Sequence, residues 1–251
     1  GGAGIVGMVG AVPLGPVGVL CHLAVHGAYR RGGLGERLTR WAVTYLRSRG
    51  AGVIRLDSTG EAEKLYRGLG FESTLRRTVY RIESIEDVSR RRERGEAGGY
   101  RVSTLSMGDL PEVYGLDRWS FGGDRSALIL AAIRLHPGRG LVALDGSGRI
   151  KGYLVRSAAG GETRLGPFLA EDDRAAGALL GPALGSIREA GGGPVEITSA
   201  ARPGGPEHGL LESFGFTGVP DRLRMELAVG RRPRLEGGVV PEYGTTPYLA
   251  T

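Results

Sequence analysis

Cysteine occurs once in the 251 residues, as Cys21. No intrachain disulfide can form, and a lone thiol builds neither a zinc knuckle nor a dithiol redox motif. Histidine is scarce as well: His22, His26, His136 and His208 are not spaced as a metal-ligand set, so no metal site is expected. A reducing, cytoplasmic setting fits this composition. Lysine is nearly absent, with only Lys64 and Lys151, so almost all of the 33 basic residues are arginine and the net charge is +6. An arginine-rich surface attracts nucleic acid, membranes or an anionic cofactor. Here the arginines are scattered and form no basic helix, and solvated side chains are the plainer account.

Charge is missing altogether between Gly4 and Val25. A membrane span would need an unbroken apolar helix. Pro13 and Pro16 flank Leu14-Gly15, and Gly7, Gly10 and Gly18 lie nearby, so two buried strands joined by a turn explain the stretch better. No basic segment precedes it, as a secretory signal would require. The chain begins at Gly1 without an initiator methionine, and its opening reads like the middle of a sheet; the expectation is a fragment lacking its start. What is present, 41% hydrophobic and 24% charged residues, suits a globular protein with a core of its own.

Periodicity predicts strands over 5–12 and 17–25, a helix over 34–48 with Leu34, Leu38, Trp41 and Tyr45 on its stripe and Ala42 and Leu46 alongside, a strand over 53–56, a short helix over 61–68 and a strand over 74–82. Residues 89–99, charged and glycine-rich, read as a linker, with Arg90, Arg91 and Arg92 solvated. Beyond it come a strand over 100–105, helices over 109–119 (capped by Asp109) and 126–135, a hairpin about Asp145-Gly146-Ser147-Gly148, a strand over 164–169, a helix over 173–190, a strand over 195–198, a helix over 207–213 and a strand over 222–228. Strand, helix, strand, short helix, strand thus occurs twice. Leu65-Tyr66-Arg67-Gly68-Leu69-Gly70-Phe71 echoes Leu210-Leu211-Glu212-Ser213-Phe214-Gly215-Phe216. Two copies of one α/β (α+β) unit are expected, with domains 1–88 and 100–230, the linker between them and a tail over 231–251.

Chemistry concentrates at Arg30-Arg31-Gly32-Gly33-Leu34-Gly35, between an apolar strand and an amphipathic helix. The first amides of a helix have no internal partner and sit at the positive end of its dipole. Glycines let those amides close on an anion, and two arginines add charge, so the segment suits a pyrophosphate. A plain tight turn is the competing account. Two familiar phosphate loops fit poorly: Gly35 is followed by Glu36 and Arg37 rather than Lys-Ser/Thr, and Leu38 stands where a dinucleotide fold needs its third glycine.

Arg30, Gly33 and Gly35 fill the Arg/Gln-x-x-Gly-x-Gly/Ala core of the acetyl-CoA-binding motif, and Ala62 with Leu65-Tyr66-Arg67-Gly68-Leu69-Gly70-Phe71 resembles the second signature, of the GNAT acetyltransferases. The resemblance implies tandem GNAT-like folds, each a mixed, largely antiparallel twisted sheet flanked by helices. It implies acetyl-CoA as co-substrate and an amine acceptor, small molecule or peptide, with neither nucleic acid nor membrane as partner; a homodimer is compatible. Leu23, Ala24 and Val25 would splay from the next strand and bond the pantetheine arm. Arg30, Arg31, Gly32, Gly33, Leu34 and Gly35 would hold the pyrophosphate. Thr59 stands where the family often has Asn, and Tyr66 would protonate the leaving thiolate, with a core aromatic on the face of a short helix as the competing account. His22 and His26 flank the cofactor strand; His22 is carried forward as candidate base, with a structural histidine as the alternative. The second copy looks catalytically empty. Glu171-Asp172-Asp173 offers carboxylates where a pyrophosphate would sit, and Leu211 replaces Tyr66; Trp119, Phe121 and Asp124 are candidates to face the acceptor or to pack. The competing functions are a non-catalytic acyl-CoA-binding or sensory module and, more weakly, a nucleic-acid binder.

Overall fold

The computed structural model describes residues 4–87, 99–135, 137–159, 161–199, 206–231 and 242–244. His136 and the expected linker, with Arg90, Arg91 and Arg92, lie outside them apart from Gly99. The chain divides into two compact units. The first comprises Gly1–Arg76, Gly122–Asp124 and Asp221–Arg234; the second comprises Arg77–Phe121, Arg125–Pro220 and Leu235–Thr251.

In the first unit β1 (Gly7–Leu14) and β2 (Val17–Val25) form an antiparallel hairpin. The strand runs two residues further than the pattern predicted and takes in Pro13. β1 stands at the end of the strand order, where a residue without an N–H is tolerated. The turn narrows to Gly15-Pro16, and Gly15 holds φ +69°. Helix α1 (Leu34–Ser48) follows, then β3 (Val53–Ser58), α2 (Gly60–Gly68) and β4 (Glu72–Ile82).

Helix α1 buries Thr39, Ala42 and Leu46, and the Thr39 hydroxyl donates to the Gly35 carbonyl at 2.8 Å. A Cβ on Gly18 would come within 3.1 Å of Leu46, so the helix lies directly on β2. Leu20, Ala42, Leu46, Ile54, Leu56, Tyr66, Phe71 and Met225 make up most of this core. Leu46 is fully buried in it, and Leu46→Ala is expected to lower the unfolding free energy by about 3 kcal/mol, measured by urea titration.

Met225 belongs to β10 (Thr217–Ala228), whose residues Leu223–Ala228 pair antiparallel with Ser58–Val53 of β3. This is where the units differ from the division at 88 and 100. β3 has β2 on one side, and its other edge needs a partner for its amides and carbonyls. That partner comes from more than 150 residues later in the chain, so Asp221–Arg234 falls in the first unit. The sheet order there is β1-β2-β3-β10.

The second unit opens with β5 (Arg101–Thr104) and a single turn, Met107–Asp109, leading into α3 (Leu110–Phe121). Ser106, rather than Asp109, is the cap. Asp109 lies three residues on and returns a carboxylate oxygen to the Ser106 amide at 2.7 Å, closing a capping box. Then come α4 (Ser126–Leu135), β6 (Gly140–Leu144), β7 (Ile150–Ala159), β8 (Glu162–Ala170), α5 (Asp173–Glu189), β9 (Val195–Ser199), α6 (Pro206–Ser213) and the first residues of β10. The order is β4-β9-β8-β7-β6-β5, and a short β11 (Glu242–Gly244) pairs with β8. Each unit is thus a mixed sheet, largely antiparallel, flanked by helices.

The expected repeat extends to single hydrogen bonds. The Tyr66 carbonyl accepts from the Leu69 and Phe71 amides, and the Leu211 carbonyl accepts from Phe214 and Phe216. Gly70 and Gly215 hold φ +87° and +91° between them. Phe71 and Phe216 are both buried. Among the described residues no helix is long and apolar enough to cross a membrane, and no group of three or more His, Cys, Asp or Glu could hold a metal ion.

Candidate active site

β2 and β3 run parallel but pair only at Val17–Val53, Gly18–Ile54 and Val19–Arg55. Past that point β2 continues for six residues, about 20 Å of strand, and β3 for three. The edge of β2 that faces β3 therefore carries main-chain groups that β3 does not take up. A bulge marks the same place: between Met8–Ala24 and Gly10–Cys21, β2 has one residue more than β1, and His22 adopts φ +51°. Leu23, Ala24 and Val25, the residues expected to splay, lie on this unpaired stretch.

The loop after β2 folds back on the strand end. Arg30 Nε donates to the Val25 carbonyl at 3.1 Å. Arg31 sits at φ +64° and Gly33 at φ +77°, left-handed conformations that cost a residue with a Cβ about 1 kcal/mol. Gly33 is the N-cap of α1 and supplies no side-chain bond to it, so among the described residues no side chain caps the first-turn amides of Leu34, Gly35 and Glu36. A Cβ at Gly33 would meet nothing within 4 Å, so the space before the helix is open. A Cβ at Gly35 would lie 3.6 Å from Leu65 and 3.8 Å from Val25, which brings the end of β2, the start of α1 and the face of α2 together. Arg30, Arg31, Gly32 and Gly33 are all exposed. An uncapped helix start, open space and two arginines are the features an anion seat requires.

Thr59 is the N-cap of α2, exposed, and its side chain makes no capping bond. Tyr66, on α2, is 5% exposed and packs edge-on to Phe71 at 5.7 Å between ring centroids. Its ring belongs to the core, and burial raises its pKa above 10.0, which keeps the phenol protonated. His22 is exposed at the bulge. His26 is tied into the local turn: its Nδ1 accepts from the Ala28 amide at 3.3 Å and its ring meets Tyr29 edge-on. Cys21 is half-buried on β2, and burial pushes its thiol above 9.0, away from the reactive thiolate.

One feature of this region was missed by sequence reasoning. Asp57, just past the last β2–β3 pair, receives Arg224 Nε at 2.6 Å and a second guanidinium nitrogen at 3.0 Å. Next to it Arg55 Nε donates to Glu226 at 2.7 Å. The two ion pairs lie on the sheet face opposite Leu56 and Met225. The signal was available in Ile54-Arg55-Leu56-Asp57 and Leu223-Arg224-Met225-Glu226: charges alternate with apolar residues in both, and antiparallel pairing sets opposite signs across from each other.

In the second unit the corresponding helix start is closed. Asp172 caps α5, its carboxylate accepting from the Ala175 amide at 2.7 Å and from the Tyr100 hydroxyl at 2.9 Å. Glu171 pairs with Lys151 at 2.9 Å. Leu211 is fully buried where the first unit has Tyr66. Of the residues considered for the acceptor, Phe121 is buried under the Arg125 guanidinium at 4.3 Å, Trp119 is exposed, and the Asp124 amide donates to the Leu14 carbonyl within the first unit.

Comparison with known proteins gives a consistent family. An acetyltransferase (GNAT) domain profile matches residues 2–73, and a second GNAT domain profile matches residues 113–229. No curated protein sequence matches the chain. Among solved structures, a putative acetyltransferase from Pyrococcus horikoshii is similar over 98% of this chain and 76% of its own, with 23% identity and a TM-score of 0.72. A GCN5-related N-acetyltransferase from Sphaerobacter thermophilus is similar over 90% and 78%, at 20% identity and a TM-score of 0.65. A tandem GNAT protein from the clavulanic acid biosynthesis pathway is similar over 90% and 80%, at 17% identity and a TM-score of 0.63.

Proposed function

Because this chain belongs to the GNAT acetyltransferases, we propose that its first unit binds acetyl-CoA and transfers the acetyl group to an amine by direct attack in a ternary complex. The observation that carries this reading is the parting of β2 and β3 beside an uncapped, glycine-lined helix start. The pantetheine arm bears two amides and can bond the free edge of β2 over Leu23, Ala24 and Val25 as a neighbouring strand would. Its diphosphate then reaches the seat formed by Arg30, Arg31, Gly32, Gly33, Leu34 and Gly35. The Thr59 hydroxyl, uncommitted to its helix, is available to the same arm.

The reaction needs a neutral amine. Its nitrogen attacks the thioester carbon, the C–N bond forms, and the C–S bond breaks with its electron pair leaving on sulfur. Tyr66 gives its phenolic proton to that thiolate, and the nitrogen loses its own proton to water or to His22. A phenol whose pKa is raised by burial is the protonated form needed for the first task. Direct attack also suits a chain whose one cysteine is held as the thiol rather than as a nucleophilic thiolate. The reading covers small-molecule and peptide amines alike.

Isotope-labelled acetyl-CoA supplied to the chain with polyamines, aminoglycosides, amino acids and lysine peptides tests it. Label is expected in one acceptor class with stoichiometric release of CoA. Tight CoA binding with no transfer to any acceptor would favour a binding or sensory module. That second reading is motivated by the closed helix start and the buried Leu211 of the second unit.

A further inference from the structure

The second unit repeats the opening of the first, and there the opening is filled. β8 and β9 pair in parallel only at Thr163–Val195 and Arg164–Glu196, after which β8 continues to Ala170 and β9 to Ser199. β8 even carries the matching bulge: between the pairs Arg156–Leu165 and Leu154–Phe168 it has one residue more than β7. Beyond the bulge β7 holds one edge of β8, with Leu154 opposite Phe168 and Tyr153 opposite Leu169. β11 pairs with those same two residues, Gly244 opposite Phe168 and Glu242 opposite Leu169. A strand has two edges. β11 therefore takes the edge that β9 holds further back, which is the slot itself.

Burial follows the same logic. Leu165, Phe168, Leu169 and Ala170 of β8 are at most 1% exposed, whereas His22 and Ala24 at the equivalent part of β2 are exposed. With Asp172 spending its carboxylate on the helix start beside this slot, both halves of the site are occupied by the chain.

We propose that the C-terminal strand Glu242–Gly244 is the resident occupant of the second unit's slot, and that this slot is a receptor for an extended peptide. A main chain bonds the free edge of a strand by adding to the sheet, and it needs neither a phosphate seat nor a thioester. The comparison with acyl-CoA rests on the reading proposed for the first unit; the seating of the strand does not.

A chain ending at residue 234 and a synthetic peptide covering residues 238–248 test the proposal. The shortened chain is expected to bind the peptide at least about 100-fold more tightly than the intact chain, in which the slot is taken. Amide exchange over residues 165–170 should quicken on shortening and slow again when the peptide is added. Binding to both chains alike, binding to neither, or unchanged exchange over 165–170 would overturn the proposal. Should the shortened chain fail to fold, exchange in the intact chain decides: residues 242–244 are expected to exchange at least about 100-fold more slowly than in the free peptide, and equal rates would overturn it. Acyl-CoA titration of the intact chain is read separately, so failure at the first unit leaves this result standing.

Discussion

Gly33→Asp is expected to weaken acetyl-CoA binding about 100-fold while changing the stability of the fold by less than about 1 kcal/mol. Gly33 and Asp172 are equivalent positions, each the N-cap of the long helix of its unit. The substitution gives the first unit the cap that the second already has. An aspartate there accepts a first-turn amide, removing a donor that the diphosphate would use. It also sets a full negative charge beside the diphosphate, which costs about 1–3 kcal/mol at effective dielectric constants between water and protein surface. Together these amount to about two factors of ten in affinity. The cap stabilises the helix by about 1 kcal/mol, and holding aspartate at φ +77° costs about as much, so the melting temperature barely moves. Gly33→Asn, neutral and of the same size, should recover most of the affinity. Titration calorimetry with melting curves reads both quantities, and undiminished affinity in Gly33→Asp would remove the helix start from the cofactor site. Asp172→Gly, conversely, should create no acyl-CoA site, because β11 still fills the slot beside it.

Tyr66→Phe should lower kcat about 100-fold or more and leave the dissociation constant of acetyl-CoA within about twofold. Phenylalanine keeps the ring that packs on Phe71 and deletes only the hydroxyl, so the core is preserved and a loss of rate reports the proton. The pH dependence gives a second readout. Burial raises the folded-state pKa of Tyr66 above 10.0, its value when exposed in the unfolded chain. The folded protein then binds the proton more tightly than the unfolded one. The resulting stability is fully present below pH 10 and is lost as the pH rises through the folded-state pKa. Above pH 10 the melting temperature of the wild type should therefore fall more steeply than that of Tyr66→Phe. For the same reason the phenol causes no loss of activity below pH 10. An unchanged kcat in Tyr66→Phe would leave this ring with a packing role alone.

Local signals carried most of the first unit. The apolar run broken at Pro13 and Gly15, the helical spacing of α1 and the glycines before it each act within a few residues, where steric limits and helix periodicity decide conformation. The buried face of α1 is nevertheless Thr39, Ala42 and Leu46, and Trp41 of the expected stripe is exposed. The glycine loop and helix start at Arg30–Gly35 were legible for that local reason, as was the equivalence of Tyr66 with Leu211, since each motif ends on a glycine with positive φ followed by a buried phenylalanine. Boundaries slipped where a neighbouring strand, rather than the residue itself, sets the end. β10 begins at Thr217 and not at 222, and β1 carries on through Pro13 because, among the described residues, it stands at the end of the strand order. The ion pair of Asp57 and Arg224 joins residues 167 positions apart: each window shows charges alternating with apolar residues, but neither shows which strand it pairs with.

Residue order alone therefore determined that there would be two related α/β units, that the first would offer a glycine-lined helix start with two arginines and a tyrosine, and that the second would offer carboxylates and a leucine. These are properties of spacing and side-chain chemistry. The tertiary structure decided who pairs with whom: that β10 completes the first unit along β3, that β2 and β3 part after Val19 and Arg55, and that β11 enters the matching gap beside β8. Strand pairing is made by main-chain groups every residue possesses, so its partners are chosen by the packing of the whole chain rather than by a motif.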